Sequence, residues 1–153
     1  MLISDLVTPP AVIAALKATS KKQALQELAR RASELTGAPE RMIFDTLLER
    51  ERLGTTGVGD GVAIPHGKLA NLPRLFGLFA RLERPIDFEA IDEQPVDLIF
   101  LLLAPGGAGA DHLKALARVS RLLRDRSMRE KLRGSETPEA LYALLVDQQA
   151  SAA

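Results

Sequence analysis

The fold of this 153-residue chain is decided at residues 53–68, which read LGTTGVGDGVAIPHGK. Five glycines fall in this stretch, at positions 54, 57, 59, 61 and 67, and its apolar residues do not recur at helical spacing. Glycine-rich sequence of this kind is typical of loops and turns rather than of helices. We therefore predict a loop that contains one short strand at about Val62 to Ile64.

Two helices are predicted before this stretch. Residues 20–23 have the spacing of a capping box, and apolar residues then recur at helical spacing until Gly37. Pro39 suits the first turn of a second helix that ends near Gly54. The apolar face of that helix would comprise Met42, Ile43, Leu47 and Leu48. Residues 11–16 predict a short strand ahead of both helices, although the spacing of their apolar residues alone also allows a helix.

Strands are predicted at residues 75–82 and 96–103, and the second is almost entirely apolar, as in a strand covered on both faces. A glycine link then leads into a helix from about Asp111 to Asp125, in which Asp111 would cap the start or complement its charge. A short helix near residues 127–132 and a last one opened at 137–139 would follow. The predicted order is β-α-α-β-β-β-α-α-α, an α/β fold with a mixed sheet between helical layers.

The composition predicts a single cytoplasmic domain. Apolar residues make up 46% and charged residues 26% of the chain, and Lys+Arg and Asp+Glu both total 20, so no net charge draws it to nucleic acid or membrane. The longest apolar run, residues 98–104, is too short to cross a bilayer, and the start lacks a signal-peptide pattern. We expect one domain over residues 1–147 and a flexible tail over 148–153.

His66 is one of only two histidines and is the leading candidate for chemistry. Pro65 restricts the backbone before it, Gly67 removes a side chain beside the ring, and apolar residues 62–64 would anchor the segment, presenting the ring at a loop edge. A neutral imidazole nitrogen is nucleophilic near pH 7 without a strong base. We predict that His66 accepts a phosphoryl group. The residues alone leave open which ring nitrogen reacts.

His112 is the second candidate, because it falls in the first turn of a predicted helix, where N–H groups and the helix dipole favour an anion. It would hydrogen-bond a phosphate or orient His66, or else be a surface residue near the helix cap. A metal held by the two histidines has little support, since no third ligand stands at a recognised spacing. We predict neither metal nor cofactor.

Two weaker signals concern the second helix and the glycines. Arg50, in the charged run 49–52, could reach a phosphoryl oxygen with its planar fork, although a solvated helix end is the ordinary interpretation. Glycines within 57–61 can offer backbone donors to an anion, but the Lys of a Walker P-loop is missing.

Residues 114–133 form a basic segment with eight Lys or Arg against two Asp or Glu. Most such runs are simply solvated. The alternative is that Lys114, Arg118 and Arg121, which share one helical stripe, dock an acidic partner.

Residues 53–68 resemble the active-site signature of the fructose/mannitol-type enzyme IIA proteins of the bacterial phosphotransferase system, and more narrowly of the nitrogen-regulatory enzyme IIA branch. Residues 86–105 (IDFEAIDEQPVDLIFLLLAP) and 110–116 (ADHLKAL) match that branch in order and spacing. The resemblance extends from about Ile3 to Val146. It implies a three-layer α/β/α sandwich with a mixed sheet.

The resemblance also implies a chemistry and partners. His66 would take a phosphoryl group on Nε2, as tele-phosphohistidine, from an HPr-like carrier (NPr). His112 matches a second active-site histidine that stabilises or orients the phosphoryl group, and Arg50 matches an arginine near its oxygens. In that branch the phosphorylation state controls nitrogen metabolism, potassium-transport components and sensor kinases. We expect a phosphocarrier without small-molecule turnover of its own, monomeric or weakly dimeric, that neither binds nucleic acid nor inserts into membranes.

Two alternatives stay open: a sugar-specific enzyme IIA that passes its phosphoryl group to a IIB domain, and a binding module in which His66 is structural. The sequence also departs from the resemblance at Asp60, where many relatives have Asn. A carboxylate aimed at the site would repel a phosphoryl group, so we expect Asp60 to face solvent.

Overall fold

The computed structural model of the protein describes the backbone of residues 1–151 and the side chains of residues 1–147. Over these residues, two 3-10 turns (Ile3–Asp5 and Pro9–Ala11) precede six strands and five helices. The elements are β1 (Val12–Leu16), α1 (Lys21–Thr36), α2 (Glu40–Arg52), β2 (Gly57–Gly59), β3 (Val62–Ala63), β4 (His66–Leu69), β5 (Phe76–Ile86), β6 (Val96–Pro105), α3 (Ala110–Arg124), α4 (Arg126–Arg133) and α5 (Pro138–Ser151).

The six strands form one mixed sheet in the order β1-β5-β6-β3-β2, and β4 also pairs with β6. Strands β5 and β6 are antiparallel, whereas β1 is parallel to β5 and both β3 and β4 are parallel to β6. Residues 98–104 of β6 are fully buried, so the sheet is covered on both faces as the apolar run predicts. The predicted α/β class with a mixed sheet is confirmed.

Helix α1 begins and ends as its sequence predicts. The Ser20 hydroxyl accepts a hydrogen bond from the Gln23 N–H at 3.1 Å, and the Gln23 side chain accepts one from the Thr19 N–H at 2.7 Å. The reciprocal bond of the capping box therefore falls one residue earlier than in the usual motif. Gly37 ends the helix in the left-handed conformation, with φ +81°.

The predicted apolar face of α2 is correct for Ile43 and Leu47, which are fully buried, and Leu48 packs against the core. It is wrong for Met42, which is 45% exposed. Met42 precedes Ile43 by one residue, so it lies about 100° further round the helix and faces outward.

The glycine-rich stretch is more regular than predicted, because it forms three short strands instead of one. Strands β2 and β3 pair through Gly57↔Ala63 and Gly59↔Val62. Asp60 and Gly61 connect them with φ of +58° and +78°, as a tight two-residue hairpin turn requires. The Asp60 side chain is 71% exposed and faces solvent as expected.

The last helix enters the stretch predicted as a flexible tail, and the domain boundary at residue 147 stays a prediction. Helix α5 continues to Ser151, so residues 148–151 of the predicted tail have helical backbone, and residues 152 and 153 lie outside the described residues. In the described part of the chain no helix is both long and apolar enough to cross a membrane.

Candidate functional site

His66 is the first residue of β4 rather than a residue at a loop edge, and it pairs with Leu102 of β6. The Leu102 N–H also donates to the Pro65 carbonyl at 3.0 Å, which fixes the backbone just before the histidine. The half-buried ring has Nδ1 2.8 Å from the Ile64 carbonyl oxygen. A carbonyl can only accept, so Nδ1 carries a proton, and in the neutral ring Nε2 then carries the lone pair.

Arg50 lies in the last turn of α2 and reaches the same ring. Its Nε donates to His66 Nε2 over 3.3 Å, and its Nη1 donates to the Gly54 carbonyl at 2.9 Å. An arginine in a protein remains protonated and can only donate, so this contact independently requires a lone pair on Nε2. The solvated helix end is therefore the wrong interpretation of Arg50, while its neighbours Glu49 and Arg52 are exposed.

His112 lies in the first turn of α3, with its ring centroid 5.7 Å from that of His66 and the two planes tilted by 49°. It is only 8% exposed, so the interpretation of His112 as a surface residue is wrong. Its Nδ1 is buried and has no hydrogen-bond partner among the described residues. Gly109 is the N-cap and supplies no side-chain bond, and Asp111 carries negative charge in the first turn.

Both histidines are held in the neutral form. Burial lowers the pKa of His66 and the Arg50 charge lowers it further, while the hydrogen bond to Ile64 and the charge of Glu51 act in the opposite direction. Burial also lowers the pKa of His112, assisted by His66 and Lys68. Near pH 7 the site therefore presents an uncharged nucleophilic nitrogen next to cationic side chains.

A buried polar cluster beside this site was missed by the sequence reasoning. The Glu51 side chain, 4% exposed, lies 3.0 Å from Lys21 Nζ and accepts hydrogen bonds from both the N–H and the hydroxyl of Thr56. The signal that points to it is its spacing of four residues from Leu47 and eight from Ile43, which places it on the buried face of α2.

The basic segment at residues 114–133 is only partly solvated. Arg129 is 9% exposed and donates to the Leu123 and Arg124 carbonyls at the end of α3. Arg133 pairs with Asp97 at 2.9 Å. Lys114 and Arg121, by contrast, are exposed and Arg118 is half-buried. Part of the local positive charge thus has a structural use, and the predicted stripe faces outward.

The arrangement is suited to accept a group that carries several negative charges. A guanidinium contacts the nucleophilic nitrogen, and a second neutral imidazole, in the first turn of a helix, lies beside the same ring. Such donors stabilise the equatorial oxygens of a phosphoryl group during transfer. Among the residues that the structure describes, no three His, Asp or Glu side chains are grouped closely enough to hold a metal.

Comparison with known proteins gives one consistent family. Residues 5–148 match the sequence model for the family "Phosphoenolpyruvate-dependent sugar phosphotransferase system, EIIA 2". A nitrogen regulatory protein from Bradyrhizobium diazoefficiens is 65% identical over 153 residues, which is the whole of both chains. The fructose-specific EIIA component from Haloferax volcanii is 41% identical over 104 residues, which cover 68% of each chain.

A solved structure agrees with these sequence matches. The nitrogen regulatory protein IIA-Ntr from Neisseria meningitidis superposes with a TM-score of 0.88 at 34% identity, over 94% of this chain and 98% of that one.

Proposed function

Because this chain belongs to the EIIA 2 family of the phosphoenolpyruvate-dependent sugar phosphotransferase system, we propose that His66 is a reversible phosphoryl acceptor that reacts through Nε2. The observation that supports this most directly is the hydrogen bond from Nδ1 to the Ile64 carbonyl, which places the proton on Nδ1 and leaves Nε2 unprotonated in the neutral ring. The donor is the phosphohistidine of an HPr-like carrier (NPr). Nε2 forms the new N–P bond as the donor's N–P bond breaks, and the donor histidine nitrogen keeps that electron pair.

In this proposal Arg50 and His112 stabilise and orient the transferred group. Arg50 Nε exchanges its contact with the Nε2 lone pair for one with a phosphoryl oxygen, and its bond to Gly54 keeps the fork in place. His112, in the first turn of α3, would position the oxygens on the other side of the ring. These roles suit phosphoryl transfer, which depends mainly on alignment and on stabilisation of charge.

We further propose that the protein regulates other proteins through its phosphorylation state. The supporting observation is the 65% identity, over the full length of both chains, to a nitrogen regulatory protein. Phosphorylation would add about two negative charges to a site that is neutral at the reacting nitrogen. Cytoplasmic targets would distinguish the phosphorylated from the unphosphorylated protein. These targets would be proteins of nitrogen metabolism, potassium-transport components and sensor kinases.

The test is to incubate the purified protein with enzyme I, NPr and phosphoenolpyruvate and to measure the intact mass. We expect a gain of one phosphoryl group that is lost in acid and absent in His66→Ala. His112→Ala is expected to react more slowly but still at His66. An unchanged mass of the wild-type protein would refute the proposal and favour a binding module in which His66 is structural.

A sugar-specific role is the second candidate, and the 41% identity to a fructose-specific EIIA component is the observation that favours it. The discriminating measurement is the transfer of the phosphoryl group from the loaded protein to a purified IIB domain of a fructose-type transporter. Fast transfer to that domain would support the sugar-specific role, and its absence would favour regulation.

A further inference from the structure

The buried carboxylate of Glu51 is bound by Lys21 and by Thr56. Its Oε1 lies 3.0 Å from Lys21 Nζ and 2.9 Å from the Thr56 N–H, and its Oε2 accepts the Thr56 hydroxyl. Lys21 is further fixed by Glu89 at 3.5 Å and by the face of the Phe88 ring at 4.9 Å. Glu51 therefore holds both the main chain and the side chain of Thr56.

From Thr56 a continuous series of hydrogen bonds leads to the reacting histidine. The Thr56 carbonyl accepts the Ile64 N–H at 3.0 Å, and the Ile64 carbonyl accepts the His66 Nδ1–H at 2.8 Å. The next residue, Gly57, pairs with Ala63, so these bonds close the base of the β2–β3 hairpin. Any shift of Thr56 would move the carbonyl that selects the tautomer of His66.

The last turn of α2 thus acts on both nitrogens of one ring. Arg50 contacts Nε2 directly, and Glu51, the next residue in sequence, acts on Nδ1 through Thr56 and Ile64. A buried ion pair is seldom needed for stability alone, since well-packed apolar residues often serve as well. The directed contacts to Thr56 indicate a positional role.

We propose that Glu51 is a positioning residue which, with Lys21 and Thr56, fixes the Ile64 carbonyl so that His66 keeps its proton on Nδ1 and its lone pair on Nε2. A free histidine side chain prefers the opposite tautomer, with the proton on Nε2, so the protein has to impose the reactive one. The consequence for phosphoryl transfer rests on the proposed function. The claim about the tautomer of the unphosphorylated ring does not rest on the proposed function.

The test measures the tautomer in the unphosphorylated protein. The ¹⁵N shifts of His66 separate a protonated from an unprotonated ring nitrogen, and a purely structural role of Glu51 would leave them unchanged. In the wild-type protein Nε2 is expected to be unprotonated. In Glu51→Gln we expect a shift of Nε2 towards the protonated position, whereas Glu49→Gln, the same change at an exposed position of the same helix, should have the wild-type spectrum.

A second pair of variants applies if Glu51→Gln does not fold. Thr56→Val keeps the backbone N–H and the size of the side chain but loses the hydroxyl, and it should shift the Nε2 resonance in the same direction. Thr56→Ser restores the hydroxyl and should recover the wild-type shifts. Wild-type shifts in folded Glu51→Gln or in Thr56→Val would overturn the proposal.

Transfer kinetics separate this proposal from the proposed function. If the wild-type protein accepts a phosphoryl group, Glu51→Gln should be slowed about tenfold, the loss expected when a hydrogen bond of ordinary strength no longer aligns the ring. If the wild-type protein accepts none but the shifts change as described, the proposed function fails and the positioning role stands. A wild-type transfer rate in Glu51→Gln would refute the link between tautomer and reaction.

Discussion

Replacement of Arg50 by Ala is predicted to slow phosphoryl transfer to His66 by about tenfold. Arg50 Nε lies 3.3 Å from Nε2, the atom that would bind phosphorus, so the guanidinium is already within reach of the incoming oxygens. A charge-assisted hydrogen bond contributes about 1.5–3 kcal/mol, which corresponds to a factor of roughly 10 to 150 in rate. The same change removes the donor that contacts the Nε2 lone pair, which makes that nitrogen more available for attack, so we expect the lower end of that range.

Two matched variants show whether geometry or charge is responsible. Arg50→Lys keeps the charge, but its compact ammonium group lacks the planar fork that contacts His66 and the Gly54 carbonyl together. We expect it to recover only part of the rate. Arg52→Ala removes an exposed arginine from the same helix end and should react like the wild-type protein.

The assay is a rapid-quench measurement of single-turnover transfer from phosphorylated NPr, with intact mass as the readout. A wild-type rate for Arg50→Ala would refute the assignment of Arg50 to the phosphoryl oxygens. Equal slowing of Arg52→Ala would show that only the general positive charge of the helix end matters.

Two further predictions concern stability, measured by urea unfolding. Because the folded state lowers the pKa of both His66 and His112, the unfolded chain binds more protons below a pH of about 6.5, so stability should fall as the pH decreases below that value. The double variant His66→Asn/His112→Asn should have a flatter profile between about pH 5 and 7, and an unchanged slope would contradict this reasoning. Gly67→Ala would place a methyl group 2.5 Å from Thr46 Cγ2 and should cost about 1–3 kcal/mol. Thr46→Ser removes that Cγ2 methyl and should recover most of the loss, whereas strictly additive effects of the two changes would locate the strain elsewhere.

The parts of the fold that sequence predicts well are those with a local cause. The Ser20 cap and Gly37 bound α1 through contacts within a few residues, and the apolar run of β6 reports burial on both faces. Strands β2, β3 and β4 have three, two and four residues, too few for an alternating pattern. Strands β3 and β4 form because β6 offers hydrogen-bonding groups at its edge, and that edge exists only in the folded protein.

The sequence singles out His66, His112 and Arg50 as candidates but does not show how close together or how buried these side chains are. His66 and His112 stand out as the two histidines, yet nothing local reveals that their ring centroids lie 5.7 Å apart or that His112 is buried. The run 49–52 alternates acidic and basic residues, and the composition of the run alone does not show which two of them are exposed. The structure separates them, because Arg50 contacts His66 and Glu51 is buried, whereas Glu49 and Arg52 are exposed.

The choice of reacting nitrogen shows why residue patterns stop short of mechanism here. His66 could carry its proton on either nitrogen, and the group that decides is the carbonyl of Ile64, an atom that every residue type possesses. The direction of this carbonyl depends on the base of the β2–β3 hairpin, where the Ile64 N–H donates to the Thr56 carbonyl and the Thr56 N–H donates to Glu51. Under the proposal above, a sequence could therefore keep both histidines and still lose part of the preference for the reactive tautomer. If Glu51 has the proposed positioning role, the sequence encodes the acceptor at His66 and part of its reactivity fifteen residues earlier.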